Sequence, residues 1–381
     1  MIIPSNYGTI SRCSLNLYNA LREVKSCETK VVLVHKYETG FEEFDSCEFF
    51  MRGEGSFIKS LFQSFERTRW IRRIKRMYHP DITISTLPGC STLNVKGRGN
   101  DIKIGVFHAP NTQIKGLKLQ YWVSQLSYRF IYPKLDKLFC VNKGLYEFFI
   151  EHYPWIDKSK IEVVYNAHPI NRIKSMALEE LDTEEERRIF IEKKVILSCG
   201  RLEFVKAPKR LLKAFGESDL PRKGYNLVFI GQERQVFWPE LKDMAKAMNI
   251  EDNVYYLGSK TNPYKYMARS SASVSSSKSE GLPGVLIESL IIGKPIVTTN
   301  SSRGVWEILS CDEQYDANLK GMLHAADGII TPNTNDEQLN VEQLALALNE
   351  IVGEQYKAVK APFLQKVTGE YIVDKYLNCI K

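Results

Sequence analysis

Two glutamates, Glu280 and Glu288, bracket a Gly-Leu-Pro-Gly turn in the stretch Ser279-Glu280-Gly281-Leu282-Pro283-Gly284-Val285-Leu286-Ile287-Glu288. A Ser-rich strand signal precedes the turn and an apolar helix signal follows it. Gly281 and Gly284 let backbone approach a ligand closely, and Pro283 suits the first turn of a helix. A helix beginning there turns unpaired N–H groups and its positive dipole end toward the loop, which favours a phosphate. Glu280 then lies beside the anion and Glu288 a turn or so into the helix. Two carboxylates so placed suit the hydroxyls of a base-bearing phosphate ligand such as a nucleotide sugar. An ordinary surface loop can have the same composition, and the dipole alone favours Glu near a helix start.

A second set of residues lies in Gly200-Arg201-Leu202-Glu203-Phe204-Val205-Lys206. A strand signal ends at Cys199, the chain turns at Gly200, and two cations follow five positions apart. Arg201 offers a fork of donors and Lys206 a point charge, a pair able to neutralise a diphosphate.

The elements that must hold these residues alternate regularly. Apolar strand signals fall at Lys194–Cys199, Tyr225–Ile230, Asn253–Leu257, Ala272–Ser276 and Pro295–Thr299. Helix-like stretches lie around 208–217, 238–248, 263–270, 284–292 and 303–309. Such alternation predicts a parallel sheet with helices on both faces, whose ligands bind outside the carboxyl ends of the strands. Gly200, Gly231, Gly258 and Gly281 follow strand signals and mark that edge. The first half reads similarly. Its strands fall at Met1–Pro4, Lys30–His35, Asp81–Ser85, Ile102–Phe107, Lys137–Val141 and Ile161–Tyr165, with helices at 12–23, 57–77, 117–131 and 143–152. The halves meet near Asn166–Pro169, giving an α/β chain with domains at 1–168 and 169–356 and a helical tail at 357–381. Its apolar residues would be Phe363, Val367, Tyr371, Ile372 and Tyr376.

Composition narrows the class. At 381 residues the chain exceeds one ordinary core. No apolar run is as long as a membrane span, and the first residues lack a secretory signal's basic region and apolar core. Eight scattered cysteines without a Cys-x-x-Cys pair fit reduced cytoplasmic thiols better than disulfides or zinc.

Taken together, these residues resemble glycosyltransferase family 4. Glu280 and Glu288 match its E-x7-E motif, and Gly200, Arg201, Leu202 and Lys206 match G-R-L-x-x-x-K. Phe229-Ile230-Gly231, Leu257-Gly258 and the junction residue Asn166 match at the expected intervals, so the resemblance spans nearly the whole chain. It implies the GT-B fold, two Rossmann-like doubly wound domains facing across a cleft, with the donor on the second and the acceptor on the first. It further implies that Arg201 and Lys206 hold the donor diphosphate, that Glu288 binds ribose, and that Glu280 contacts the donor sugar. The amides from Gly281 through Leu282 and Pro283 to Gly284 would frame sugar and phosphate, with Gly231 and Leu257-Gly258 flanking the nucleotide. His108, after a first-half strand, would touch the sugar, and Gly8 and Thr9 stand where the family has paired glycines on the acceptor side. A second departure is Ala207, which replaces the usual glycine after the motif lysine. The implied activity is retaining transfer from a nucleotide sugar, UDP being commonest, to a glycan or lipid-linked hydroxyl, as in bacterial surface polysaccharide synthesis. No cofactor or metal is expected, since two cations and a helix N-terminus can supply the charge stabilisation. A nucleotide-sugar 2-epimerase or a non-catalytic nucleotide-sugar-binding subunit would share the fold.

The charge needs separate explanation. Residues 1–168 hold 24 Lys and Arg against 16 Asp and Glu, a net of +8, while the remainder carries a net of −1. Residues 57–77 alone hold seven cations and one Glu, with Ile58, Leu61, Phe62, Phe65, Trp70, Ile71 and Ile74 at near-helical spacing. A basic amphipathic helix with aromatics suits an anionic membrane surface, which predicts peripheral attachment at the inner face of the cell membrane. An ordinary surface helix is the plainer reading, and no nucleic acid is expected.

Overall fold

The computed structural model describes residues 1–5, 9–35, 44, 47–49, 57–108, 118–234, 236–310, 314–353, 356 and 359–379. The chain divides into two compact units, Met1–Pro169 with Lys366–Lys381, and Ile170–Gln365.

In the first unit the elements follow as β1 (Ile2–Ser5), α1 (Thr9–Arg22), β2 (Val31–His35), β3 (Cys47–Phe49), α2 (Phe57–Tyr78), β4 (Ile82–Thr86), α3 (Leu87–Lys96), β5 (Ile102–Phe107), α4 (Lys118–Phe130), β6 (Lys137–Cys140), α5 (Lys143–His152) and β7 (Ile161–Val163). Among the described residues its strands form one parallel sheet in the order β3-β2-β1-β4-β5-β6-β7. Strands covered on both faces are nearly all apolar, as Val31–Val34 and Val106–Phe107 are.

The second unit runs α6 (Ile170–Ala177), α7 (Glu184–Ile191), β8 (Lys194–Cys199), α8 (Pro208–Glu217), β9 (Tyr225–Ile230), α9 (Trp238–Ala247), β10 (Val254–Tyr256), α10 (Tyr264–Arg269), β11 (Ala272–Ser275), α11 (Gly284–Ile292), β12 (Ile296–Thr299), α12 (Arg303–Ile308), β13 (Leu323–Ala325), β14 (Gly328–Thr331) and α13 (Glu337–Ile351). Its sheet order is β10-β9-β8-β11-β12-β14-β13, parallel except for β13. Ile196, Leu211, Phe215, Leu227, Phe229, Val341, Leu344 and Leu348 share one buried cluster. α8 and α13 pack together, and Arg210 ties them by donating to both oxygens of Glu337 and to Asn333. In each sheet the connection doubles back beside the first strand, so that loops leaving β1 and β4, or β8 and β11, diverge around a crevice.

Several elements differ from the sequence expectation. β3, α3, α6, α7, β13, β14 and α13 had no predicted counterpart, being short or opened by Pro and Gly, or in α13 lying beyond the strands considered. The last segment divides at residue 365, not 356. Residues 359–365 belong with the second unit, where Asp327 accepts from the amides of Lys360 and Ala361. Beyond it α14 (Gly369–Leu377) returns to α1, with Phe363, Val367, Ile372 and Tyr376 buried and Tyr371 exposed.

Lys75 is not a surface cation. Its ammonium is buried and donates to Asp101 at 2.6 Å and to Asn94 Oδ1 and O at 2.7 and 3.0 Å, locking α2 to α3 and the start of β5. Phe65, counted on the apolar side of α2, points outward, because Ile71 and Ile74 define the buried side half a helical turn away.

Candidate active site

The two motifs singled out by sequence meet at the carboxyl edge of the second sheet. β8 ends at Cys199, and a single 3-10 turn, Phe204–Lys206, carries the lysine back over that edge. The loop after β11 is stitched to this turn: Ser276 Oγ donates to Lys206 O at 2.8 Å and to Ala207 O at 3.1 Å, and Lys278 N donates to Val205 O at 2.8 Å. Lys206 Nζ then lies 2.5 Å from Glu280 Oε1, both side chains largely shielded. This ion pair spans the crevice between β8 and β11, the point where strand order reverses. Arg201 does not join it. Its guanidinium is half-exposed and pairs with Glu203 Oε1 at 2.8 Å on the same loop.

Ala207 adopts φ +47° between the 3-10 turn and α8. That left-handed conformation accounts for the glycine the sequence comparison led one to expect there.

The edge beside the pair is bare backbone. Gly200 N donates to Ile230 O at 2.8 Å and Gly231 N to Gly258 O at 2.9 Å, so three glycines line up across β8, β9 and β10. Gly231 has φ +148°, and a Cβ there would fall 1.9 Å from Gly200 O. No side chain fits. Leu257 N donates to Phe229 O at 3.0 Å and holds the adjoining turn. Gly281 lies six residues beyond β11 rather than directly after a strand, and is anchored to the β12 side where Ser302 Oγ donates to its carbonyl at 3.0 Å. Glu280 N donates to Ser301 O at 3.2 Å.

α11 begins at Gly284 with Pro283 as N-cap and no side-chain cap, leaving its first amides for an incoming anion. Leu282 and Pro283 complete the turn that carries Glu280 into this helix. Glu288 lies on α11, where Tyr264 Oη donates to Oε1 at 3.1 Å. Glu288 also reaches the end of β8: burial, and then its charge, push the Cys199 thiol up to about 12. Tyr264 and Ser276 are site residues that the sequence motifs missed. Tyr264 sits at a helix start with nothing in its spacing to mark it, and the serine run announced only a strand.

In the first unit His108 follows β5, its Nε2 buried without a hydrogen-bond partner. Desolvation lowers its pKa to about 4, so the imidazole is neutral at physiological pH. Thr86, Tyr165 and Asn166 line the same small cavity. Thr9 opens α1, and Gly8 lies outside the described residues. Among the described residues no group of three His, Cys, Asp or Glu side chains could hold a metal ion. No helix among them is long and apolar enough to cross a membrane.

Residues 181–358 match the family model described as glycosyl transferases group 1. An uncharacterized glycosyltransferase of Methanocaldococcus jannaschii is 25% identical over 280 residues, which is 71% of this chain and 68% of that protein. The N-acetylgalactosamine-N,N'-diacetylbacillosaminyl-diphospho-undecaprenol 4-alpha-N-acetylgalactosaminyltransferase of Campylobacter jejuni is 30% identical over 228 residues, 59% of either chain. Among solved structures, HepE of Anabaena, in complex with UDP and glucose, superimposes with a TM-score of 0.69 at 14% identity, covering 99% of this chain and 98% of that one. The shared architecture is GT-B.

Proposed function

We propose that this chain, whose residues 181–358 match the group 1 glycosyltransferase model and whose relatives described above are glycosyltransferases, moves a sugar, with retention at the anomeric carbon, from a UDP-sugar to a hydroxyl of a glycan or lipid-linked acceptor. The carrying observation is the Lys206–Glu280 ion pair across the strand-order reversal, beside an uncapped helix N-terminus. Lys206 is then the cation that turns to the donor diphosphate, Arg201 adds a second donor from the same loop, and the α11 amides complete the anion site. Glu280 is freed to take a hydroxyl of the sugar, and Glu288 binds ribose. Gly231, Gly258 and Leu257 give the nucleotide a surface without side-chain bulk. The relative whose name specifies an undecaprenol diphosphate acceptor supports a lipid-linked acceptor; HepE, bound to UDP and glucose, supports the donor.

The chemistry needs no divalent ion in this reading. The bond from the anomeric carbon to the leaving phosphate oxygen breaks, and the acceptor oxygen bonds to the same face of that carbon. The acceptor proton passes to the leaving phosphate oxygen, so UDP departs without a dedicated protein base. Neutral His108 serves as a hydrogen-bonding group on the acceptor side, with Thr9. We place the protein at the inner face of the cell membrane, held peripherally through α2, and at work in surface polysaccharide synthesis.

Donor hydrolysis and transfer, assayed with and without EDTA on Glu280→Ala, Arg201→Ala and Lys206→Ala, test the site. Turnover near wild type in all three variants refutes it, and turnover abolished by EDTA refutes metal independence.

A further inference from the structure

Helix α4 carries large apolar side chains on its outward side. Its buried side carries Ser124, Ser127 and Tyr128, while Trp122, Leu126 and Phe130 stand in solvent at 63, 55 and 60% exposure. These three recur every four residues and so form one stripe. Tyr121, also exposed, sets its ring 5.9 Å from that of Trp122. If the sheet side were the helix's only partner, large apolar residues would face it and serines would face water. Tyr128 keeps to that pattern, but Trp122, Leu126 and Phe130 stand outside it while Ser124 and Ser127 are buried. Exposed apolar area this contiguous marks a surface that something covers.

The surroundings say what covers it. α4 contains no Asp or Glu. Arg129 projects from the same helix and lies 4.7 Å over the ring of half-exposed Trp155, whose indole N–H donates to Tyr128 O. α3 packs against both α4 and α2, and the outward positions of α2 hold Arg69, Arg73 and Arg76, flanked along the helix by exposed Phe65 and Met77. Aromatic and aliphatic side chains edged by arginines fit the interfacial zone of an anionic bilayer, rings at the acyl boundary and guanidinium groups among the phosphates. A second copy of the chain fits poorly, because a two-fold contact would set arginine against arginine.

We propose that Trp122, Leu126 and Phe130 insert into the interface of an anionic membrane, forming the apolar half of a docking surface whose basic half is α2. This deepens the membrane contact already read from α2; it does not rest on the donor chemistry.

Flotation of the full chain with vesicles rich in phosphatidylglycerol, and with phosphatidylcholine vesicles, tests the proposal. The wild type is expected to bind the former. The triple variant W122S/L126S/F130S should partition about 100-fold less at every salt concentration, since it loses apolar burial. R69Q/R73Q/R76Q should lose binding chiefly at low salt, since it loses only screened charge. Lipids brominated in the acyl chain should quench the wild-type fluorescence more than that of the conservative variant Trp122→Phe. Equal flotation of W122S/L126S/F130S and wild type, or equal quenching of wild type and Trp122→Phe, overturns the inference. So does a wild-type dimer that the α4 variant converts to monomer, or binding that ignores lipid charge. UDP binding, measured in parallel, should persist in both triple variants. Its absence from the wild type would refute the donor reading and leave the membrane result standing.

Discussion

The Lys206–Glu280 pair makes a prediction with opposite signs for its two members. Glu280 Oε1 occupies Lys206 Nζ at 2.5 Å, so a diphosphate bound there must take the ammonium away from a carboxylate. UDP isolates that exchange, since it carries the diphosphate and lacks the sugar that Glu280 would hold. Lys206→Met removes a charge-assisted hydrogen bond of about 1.5–3 kcal/mol, less what was spent breaking the pair, and should weaken UDP binding about 10-fold. Glu280→Gln removes the competitor and a nearby negative charge. The pair retains some solvent access, so its screened worth is about 1 kcal/mol, and UDP binding should tighten about fivefold. In the Lys206→Met background Glu280→Gln should give less than its fivefold gain, because with the ammonium gone no ion pair remains to relieve and only the lost negative charge helps. Transfer from the full donor should fall in every case, by about 100-fold or more where an anion-stabilising group is lost. Calorimetric titration with UDP at physiological salt reads the first three values. If Glu280→Gln weakens UDP as Lys206→Met does, the two residues form a structural clamp and the exchange is wrong.

Further outcomes follow from other positions. Ala207→Gly should stabilise the fold by about 0.5–1 kcal/mol, read as a higher denaturation midpoint, because glycine adopts φ +47° without penalty; a lower midpoint would contradict this. Gly231→Ala places a methyl group 1.9 Å from Gly200 O and should cost at least about 3 kcal/mol, read as a lost cooperative melt or a lost UDP-induced thermal shift. Lys75→Met should cost about 3 kcal/mol by stranding buried Asp101, with Lys103 at 3.6 Å compensating only in part. Arg73→Gln, on the exposed side of α2, should leave the melting curve within about 0.5 kcal/mol of wild type. Burial lowers the His168 pKa to about 4, its Nδ1 facing Asn166 O at 3.0 Å. The unfolded chain therefore binds a proton between pH 6.5 and 4 that the folded one refuses. Stability at that site should fall with acidity across this window by about 3 kcal/mol, and hold level above it. Denaturant titrations of His168→Asn should show a shallower acid limb, and an unchanged limb would locate the effect elsewhere.

Sequence made the charged motifs of the site legible, but not how they pair. Glu280, Glu288, Arg201 and Lys206 could be found because they fall in short Gly-marked segments that precede or open a helix, where local chemistry is distinctive. The Lys206–Glu280 contact joins residues 74 apart and depends on Ser276 and Lys278 clamping one loop to the other. Nothing in the spacing announces that. β13 and β14 escape notice as three- and four-residue strands, too short for a period to register. α3 opens with Leu-Pro-Gly, a loop signature that tertiary packing overrides by burying Cys90, Ser91, Leu93 and Asn94. In α4 and α2 the periodicity is visible, but a period does not say which stripe faces inward. It therefore sets Phe65 on the wrong side and leaves Lys75 among the surface charges.

The first unit is discontinuous along the chain, and this fixes the timetable of its synthesis. Helix α14 closes over α1, with Tyr376 against Phe139 at 4.9 Å, Lys375 on Glu162, and His168 N donating to Val367 O. All 196 residues of Ile170–Gln365 are synthesised before that helix. At ordinary elongation rates the α1 side of the nascent first unit waits uncovered for about 10 to 40 s. The side of α1 that α14 covers, with Ala20 beside Gly369, thus stays open while the second unit is made. A chain ending at residue 365 and carried clear of the exit tunnel would display a complete second unit and an unsealed first one, the state in which chaperones should be found on it.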